Sequence, residues 1–158
     1  MAAQLKGFAA LISLALASSG CANSAPPAAE RVPVAVDVVL IAGARLNLDE
    51  QGESLPTLVR IYQLKGTGRL EGAEFDQLYR QPKETFGEDL LQTDEVVLSP
   101  GQSAHRRMER DKLAKAIAVV PLVRRPAGLS WRTAVELPSP DQRAELRFLI
   151  EEYRVERR

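Results

Sequence analysis

Cys21 and His105 are each the only residue of their type in this chain, and each could carry chemistry. Cys21 follows an N-terminal lysine, an apolar run over residues 8–17 and small residues at 18–20. A basic start, a short apolar core and small residues before the cut are typical of a secretory signal. A cysteine that becomes the first residue after the cut also offers a thiol for lipid attachment. We therefore predict that residues 1–20 are removed and that a lipid on Cys21 anchors the chain to a membrane.

The signal allows an alternative, because Ser18 stands where bacterial lipoprotein signals usually have leucine. An ordinary signal peptide cut nearby would leave Cys21 as a free thiol. Ala22 favours the outer membrane, since aspartate at this position would favour retention in the inner membrane. The apolar run is only about half as long as the roughly 20 residues that a membrane-spanning helix needs, so we do not interpret it as a transmembrane segment.

His105 lies in a basic, polar run beside Arg106 and Arg107, and the sequence places no serine in a Gly-x-Ser-x-Gly turn. Nucleophilic catalysis needs a base held beside a serine or cysteine, and the only cysteine is assigned to lipidation. The acidic residues at 49–53 lack the alternating ligand spacing of a calcium loop. We predict a non-enzymatic protein without a metal or another cofactor. An exported hydrolase stays an alternative only if the fold brings a nucleophile and a carboxylate to His105.

The charge balance argues against nucleic acid as a partner. The chain has 21 basic and 21 acidic residues, and only 5% of its residues are aromatic. Nucleic-acid binding would require a basic excess, with aromatic residues among the charges. The basic doublets, such as Arg124-Arg125, are therefore interpreted as solvated.

Composition divides the chain into three parts. Residues 1–20 form the predicted signal, residues 21–31 the lipidated cysteine and a flexible Ala/Pro tether, and residues 32–158 one folded domain. In that domain, alternating apolar residues and turn signals predict about seven strands and two helices. The strands cover 34–41, 57–64, 96–98, 103–110, 116–123, 131–137 and 143–155, and the helices cover 72–80 and 82–90.

This pattern predicts a mainly β fold, a two-sheet antiparallel β-sandwich with a short helical insertion after the second strand. Pro121 lies inside an apolar strand, which predicts an edge position or a bulge there. Residues 103–110 are polar, as expected of an edge strand. In the segment 131–137, strict alternation places Trp131 and Val135 on the same face.

A long polar segment, 44–55, separates the first two strands. A loop of this length without its own helix or strand is often functional. Leu46 and Leu48 alternate with polar residues on it. On the residues alone, two interpretations remain open: the leucines are covered by a partner, or they fold back on the core of a plain connector.

The order of segments resembles a known family. The lipoprotein signal and Ala/Pro tether precede a Val-rich strand, a loop with Asn47 and Gly52, the segments RIYQL at 60–64 and FDQLY at 75–79, a Pro100-Gly101 turn and Trp131-Arg132. This order resembles the outer-membrane lipoprotein of bacterial type VI secretion systems, the TssJ (also VasD or SciN) family. The resemblance implies a transthyretin-like β-sandwich held at the periplasmic face of the outer membrane by its lipid.

The resemblance also implies a partner. It implies that the domain binds the periplasmic C-terminal part of the inner-membrane protein TssM, and through it is linked to TssL, without a small-molecule substrate. The loop between the first two strands is the implied contact, and its candidate residues are Arg45, Leu46, Asn47, Leu48, Asp49 and Glu50. The alternative is a transthyretin-like carrier, with a ligand pocket lined by residues such as Tyr62, Trp131 and Phe148.

Overall fold

Two four-stranded sheets pack face to face in the computed structural model, which describes residues 34–158. The predicted signal, Cys21 and the tether lie outside the described residues. The strands are β1 (Val36–Leu46), β2 (Thr57–Leu64), β3 (Leu90–Leu98), β4 (Ser103–Met108), β5 (Ala116–Pro121), β6 (Thr133–Glu136), β7 (Ala144–Glu152) and β8 (Arg154–Arg157). Three short helices, α1 (Gly68–Glu71), α2 (Phe75–Arg80) and α3 (Pro82–Phe86), and a 3₁₀ turn (Gly87–Asp89) follow β2. The predicted β-sandwich with its helical insertion is confirmed.

The strand orders are β4-β1-β7-β8 in the first sheet and β3-β2-β5-β6 in the second. All pairings are antiparallel except one, because β1 and β7 run parallel at the centre of the first sheet. The sheet is therefore mixed rather than purely antiparallel. β4 lies at a sheet edge, as its polar sequence predicts.

Two apolar clusters hold the layers together. Alternate residues of β1 (Val36, Val38 and Leu40) point between the sheets, where they meet Ile61 of β2 and Phe148 of β7. The opposite face of the second sheet is covered by the helices. There Tyr62, Leu64 and Ala118 pack with helix residues that include Leu78 and Phe86. The inner strands β2 and β5 are thus covered on both faces, on one by the other sheet and on the other by the helices.

The helical insertion differs from its prediction at both ends. α1 forms at 68–71, where the glycines predicted a break, and α3 ends at Phe86 rather than continuing to Leu90. Gly87 has a positive φ of 52°, which ends the helix. Leu90 then begins β3 and pairs with Leu64, so sheet formation prevails over the helical spacing of Phe86 and Leu90.

The edge prediction for the proline-containing strand is wrong, because β5 is an inner strand between β2 and β6. Pro121 is its last residue, opposite Val59. A proline at the strand end removes only a terminal ladder bond, which explains why the inner position is tolerated.

The prediction that Trp131 shares a face with Val135 is also wrong. β6 begins only at Thr133, and Trp131 lies in the preceding turn. Its ring packs edge-on against Phe75 of α2, with ring centroids 5.1 Å apart, whereas Val135 lies between the sheets.

The last predicted strand, 143–155, is two strands. β7 ends at Glu152, whose φ of 51° reverses the chain, and β8 returns antiparallel with Glu151 opposite Arg154. No helix within residues 34–158 is long and apolar enough to cross a bilayer.

Candidate partner-binding surface

The connection between β1 and β2 begins at an irregularity in the first sheet. The pairing of β1 with β7 shifts register between Ala42 and Leu46, and Leu46 is then opposite Glu152. β1 therefore extends further than its sequence predicts and includes Arg45 and Leu46. The remaining connection is the segment 47–56, which we call the β1–β2 loop.

Asn47 turns the chain out of β1. Its φ is 47°, a left-handed conformation that asparagine adopts more readily than most residues. Its backbone N–H donates to the carbonyl of Glu152 at 2.8 Å, and its side-chain Oδ1 accepts from the backbone N–H of Arg124, also at 2.8 Å. Asn47 is buried, so these bonds tie the β1–β2 loop to the end of β7 and to the segment that follows β5.

Asp49 organises the tip of the loop, residues 49–53. Its Oδ1 accepts from the backbone N–H of Gln51 at 2.9 Å and of Glu53 at 2.8 Å. Its own backbone N–H donates to the carbonyl of Glu53, and Gly52 supplies a positive φ of 84°. An aspartate that bonds to the backbone two residues ahead is a recurrent turn device. The tip is therefore closed by its own side chain.

Further bonds close the base of the loop. The Leu55 N–H donates to the carbonyl of Leu46 at 2.9 Å, and the Ser54 hydroxyl donates to the carbonyl of Ala44 at 2.7 Å. The Tyr153 hydroxyl donates to the carbonyl of Leu48 at 3.0 Å. The loop is consequently tied to the ends of β1 and β7.

Burial separates the six candidate residues into two groups. Leu46, Asn47 and Leu48 are buried, with 0%, 5% and 7% of their surface exposed. Arg45 and Glu50 are exposed, and Asp49 is half-buried. The leucines fold back on the protein, which was one of the two interpretations open from the sequence. Any contact made by the loop thus falls on its other residues, and the assignment of the six residues to a partner stays a prediction.

Charge is concentrated at the exposed tip. Asp49, Glu50 and Glu53 lie within five positions, and Arg124 Nη2 approaches Glu50 Oε1 at 4.0 Å. At the base, Arg45 Nε lies 3.1 Å from Glu152 Oε1. The side chains of both ion pairs are largely exposed to solvent, and such pairs stabilise a fold only slightly. They remain available for exchange with charges on another protein.

An apolar patch that sequence reasoning missed lies beside the loop. Leu58, the second residue after the loop, is opposite Val97 of β3, and its carbonyl accepts from the Leu122 N–H. These three residues lie side by side on the face of the second sheet that carries the helices; there Val97 is 65% exposed, and Leu58 and Leu122 are half-buried. A sequence signal existed, because Val97 follows Val96 where strict alternation expects a polar residue.

The three residues that the carrier alternative placed in one ligand pocket lie in different parts of the core. Tyr62 and Trp131 are buried under the helices, whereas Phe148 is buried between the two sheets. The three side chains therefore line no common cavity. Burial raises the pKa of Tyr62, so its hydroxyl stays neutral.

His105 lies on the outer face of β4, with its side chain 60% exposed and its Nε2 3.1 Å from Asp37 Oδ1. Within residues 34–158, no serine hydroxyl is hydrogen-bonded to it. The described residues also contain no group of three histidine, cysteine or acidic side chains placed to hold a metal.

Solved structures share this two-sheet sandwich, which defines the class of protein. The lipoprotein TssJ1 of the Pseudomonas aeruginosa type VI secretion system matches with a TM-score of 0.70 and 24% identity, covering 80% of this chain and 97% of that one. A chain of a structure described as the type VI membrane complex matches with a TM-score of 0.72 and 23% identity, covering 81% and 99%. At these identities the likeness establishes the fold.

A third match is a chain in a structure described as the C-terminal domain of the T6SS protein TssM from EAEC. Its TM-score is 0.67 and its identity 22%, with 78% of this chain and 97% of that one covered.

No curated protein matches the sequence. The model of the family described as type VI secretion lipoprotein, VasD, EvfM and TssJ, matches residues 34–153. The chain belongs to this family of type VI secretion lipoproteins.

Proposed function

We propose that this lipoprotein is held at the periplasmic face of the outer membrane by a lipid on Cys21 and binds the periplasmic C-terminal domain of TssM. Through TssM it would link the TssM–TssL inner-membrane complex to the outer membrane. Membership of the type VI lipoprotein family supports this role. So does the match to a chain in a structure described by the TssM C-terminal domain.

The observation that carries the proposal is the ordered tip of the β1–β2 loop. Asp49 closes the tip and Asn47 fixes its base, while Glu50 and Glu53 point into solvent. A loop already held in one conformation loses little conformational entropy when it binds. The exposed acidic groups would steer and orient a basic surface on TssM.

The adjoining apolar patch supports a contact that extends beyond the loop. Charged groups at an interface mainly set specificity and association rate, whereas buried apolar groups supply much of the affinity. Leu58, Val97 and Leu122 lie next to the loop and could supply such a centre. The proposed contact surface is therefore the acidic tip together with this patch.

Binding to the periplasmic domain of the matching TssM tests the proposal. The double variant Glu50→Arg/Glu53→Arg should weaken binding at least about tenfold, which corresponds to about 1.4 kcal/mol. Leu46 and Leu48 are unsuitable for this test, because substituting buried leucines would destabilise the domain and change binding indirectly. The matched control is Glu145→Arg/Glu156→Arg, which makes the same charge change on the outer face of the first sheet. If both variants bind TssM equally well, the β1–β2 loop is not part of the contact.

The lipid anchor is tested separately. Cells that express the full chain should incorporate labelled palmitate into it and retain it in the outer-membrane fraction. Cys21→Ser should lose both properties. A Cys21→Ser protein that stays in the outer membrane without label would contradict the anchor.

A further inference from the structure

The end of the sandwich far from the β1–β2 loop is the end where the tether joins the domain. Val34 donates its backbone N–H to the carbonyl of Pro140 at 3.0 Å, just before β1 begins. The segment 109–115, between β4 and β5, lies at this same end, since Met108 is opposite Val36. Along the 11 residues of β1, at about 3.3 Å per residue, this end lies about 33 Å from the β1–β2 loop.

This end presents an exposed leucine on a fixed turn. Leu113 is 58% exposed. Its backbone N–H donates to Asp111 Oδ1 at 2.8 Å, and the Asp111 N–H donates to Oε1 of the buried Gln63 at 3.0 Å. On the other side, the buried Arg110 donates to the carbonyl of Ala114 at 3.1 Å. Core side chains therefore hold the turn in place while its leucine projects outward.

The surroundings of Leu113 combine apolar and basic groups. Leu113 borders a concavity of about 520 Å³ that is also lined by Leu137, Pro138, Pro140 and Lys115. Lys115 is exposed. An apolar side chain next to a lysine suits a phospholipid interface, where the leucine reaches the acyl boundary and the ammonium stays among the phosphates.

We propose that this end, the tether end, rests on the bilayer that anchors the chain, with Leu113 inserted at the headgroup–acyl boundary. The inference rests on the lipid anchor proposed above. Only 13 positions separate Cys21 from Val34 (34 minus 21), which span at most about 45 Å when fully extended. One leucine binds a membrane weakly in a free protein, but the anchor makes its insertion intramolecular. Contact at the tether end would point the β1–β2 loop away from the membrane.

Fluorescence of the lipidated full chain in phosphatidylethanolamine–phosphatidylglycerol vesicles tests this. An environment-sensitive dye is attached to Leu113→Cys and, as the matched control, to Leu129→Cys, which replaces a leucine that is 69% exposed after β5. Because lipid occupies Cys21, the introduced thiol is the only one. We expect a blue shift and quenching by nitroxide-labelled lipid at position 113, and quenching by aqueous iodide at position 129.

Vesicle flotation separates the inference from the anchor. If the labelled chain floats with the vesicles and both positions show the same emission and the same iodide quenching, the contact at Leu113 is refuted while the anchor stands. If the chain does not float, the anchor itself fails and the inference falls with it. A blue shift at position 113 in the absence of vesicles would also overturn the inference, because the dye would then be reporting the protein surface.

Discussion

The two ends of the sandwich hold their loops by different means. At the β1–β2 loop, Asp49 closes the tip with bonds to residues two and four positions ahead. Bonds to other segments lie mainly at its base, where Asn47 bonds to Arg124 and the Tyr153 hydroxyl donates to the carbonyl of Leu48. At the tether end, Gln63 and Arg110 are buried side chains that bond to backbone groups far away in sequence.

This difference indicates how each end can change. A tip closed by its own aspartate can exchange its exposed residues without disturbing the core, which suits a surface that must match one partner. The turn at the tether end is held by core side chains, so it keeps its conformation only while the whole domain is folded. Substitutions at the two ends can therefore separate local support from core support.

The largest effect is expected at the base of the β1–β2 loop. Leu46→Ala removes a fully buried side chain that packs between the sheets, and should lower the free energy of unfolding by about 3 kcal/mol. Glu50→Ala, at the exposed tip, should change it by less than about 0.5 kcal/mol. Urea denaturation measures both. Similar losses for the two variants would mean that the tip is not independent of the core.

Arg110→Met tests the core support of the tether end. Arg110 donates to the carbonyls of Ser139, Ala114 and Pro138, and methionine would leave these acceptors without their charged donor. Burial lowers the pKa of Arg110, but an arginine remains protonated at neutral pH. We expect a loss of about 2 kcal/mol in the free energy of unfolding.

The control for this change is Arg107→Met, which replaces an exposed arginine on β4. Its effect should stay within about 0.5 kcal/mol. Urea melts of the two variants should therefore differ in midpoint. Coincident melts would show that the carbonyls at the tether end find other donors, and that this end is held as locally as the other.

The same distinction explains what the sequence could and could not predict. The β-branched run at 34–41 predicted a largely buried strand, and a strand forms there because β propensity is a local property. Its residues alternate between buried and half-buried, since only one face of this sheet meets the core. The parallel pairing of β1 with β7 joins residues about a hundred positions apart, and no local pattern reports it. At Leu90 a local pattern gave the wrong prediction. Its spacing from Phe86 predicted a helix, but Leu90 pairs with Leu64 of β2 and begins β3.

At the candidate surface, the long polar segment was visible in the sequence but its burial pattern was not. Alternation with polar residues cannot tell a leucine that faces a partner from one that faces its own core. Leu48 is covered, and Asn47 is held by Arg124, 77 positions later in the chain. Which residues stay exposed was therefore decided by contacts between distant segments.

An effect of the same size as that of Arg110→Met is expected for Asn47→Ala. Asn47→Ala loses the bond from the Arg124 N–H and places alanine in a left-handed conformation, so it should cost about 2 kcal/mol. Asn47→Gly loses the same bond without the backbone strain and should cost about 1 kcal/mol less. Thermal or urea unfolding gives the order. Equal costs for the two variants would show that the backbone conformation contributes nothing and that the cross-link alone holds the loop.

The smallest effect is expected at Gly52, within the tip. A Cβ at this position would meet no atom within 4 Å, so the cost of Gly52→Ala comes from the positive φ of 84° alone and should be about 1 kcal/mol. Gly66, near the tether end, is equally open but has no positive φ, and Gly66→Ala should instead stabilise the domain by about 0.5 kcal/mol. The two substitutions are chemically identical, so opposite shifts in the urea midpoint would isolate backbone conformation as the cause. A stabilising Gly52→Ala would mean that the tip relaxes out of its turn, and the ordered acidic surface that the proposed function requires would then be absent.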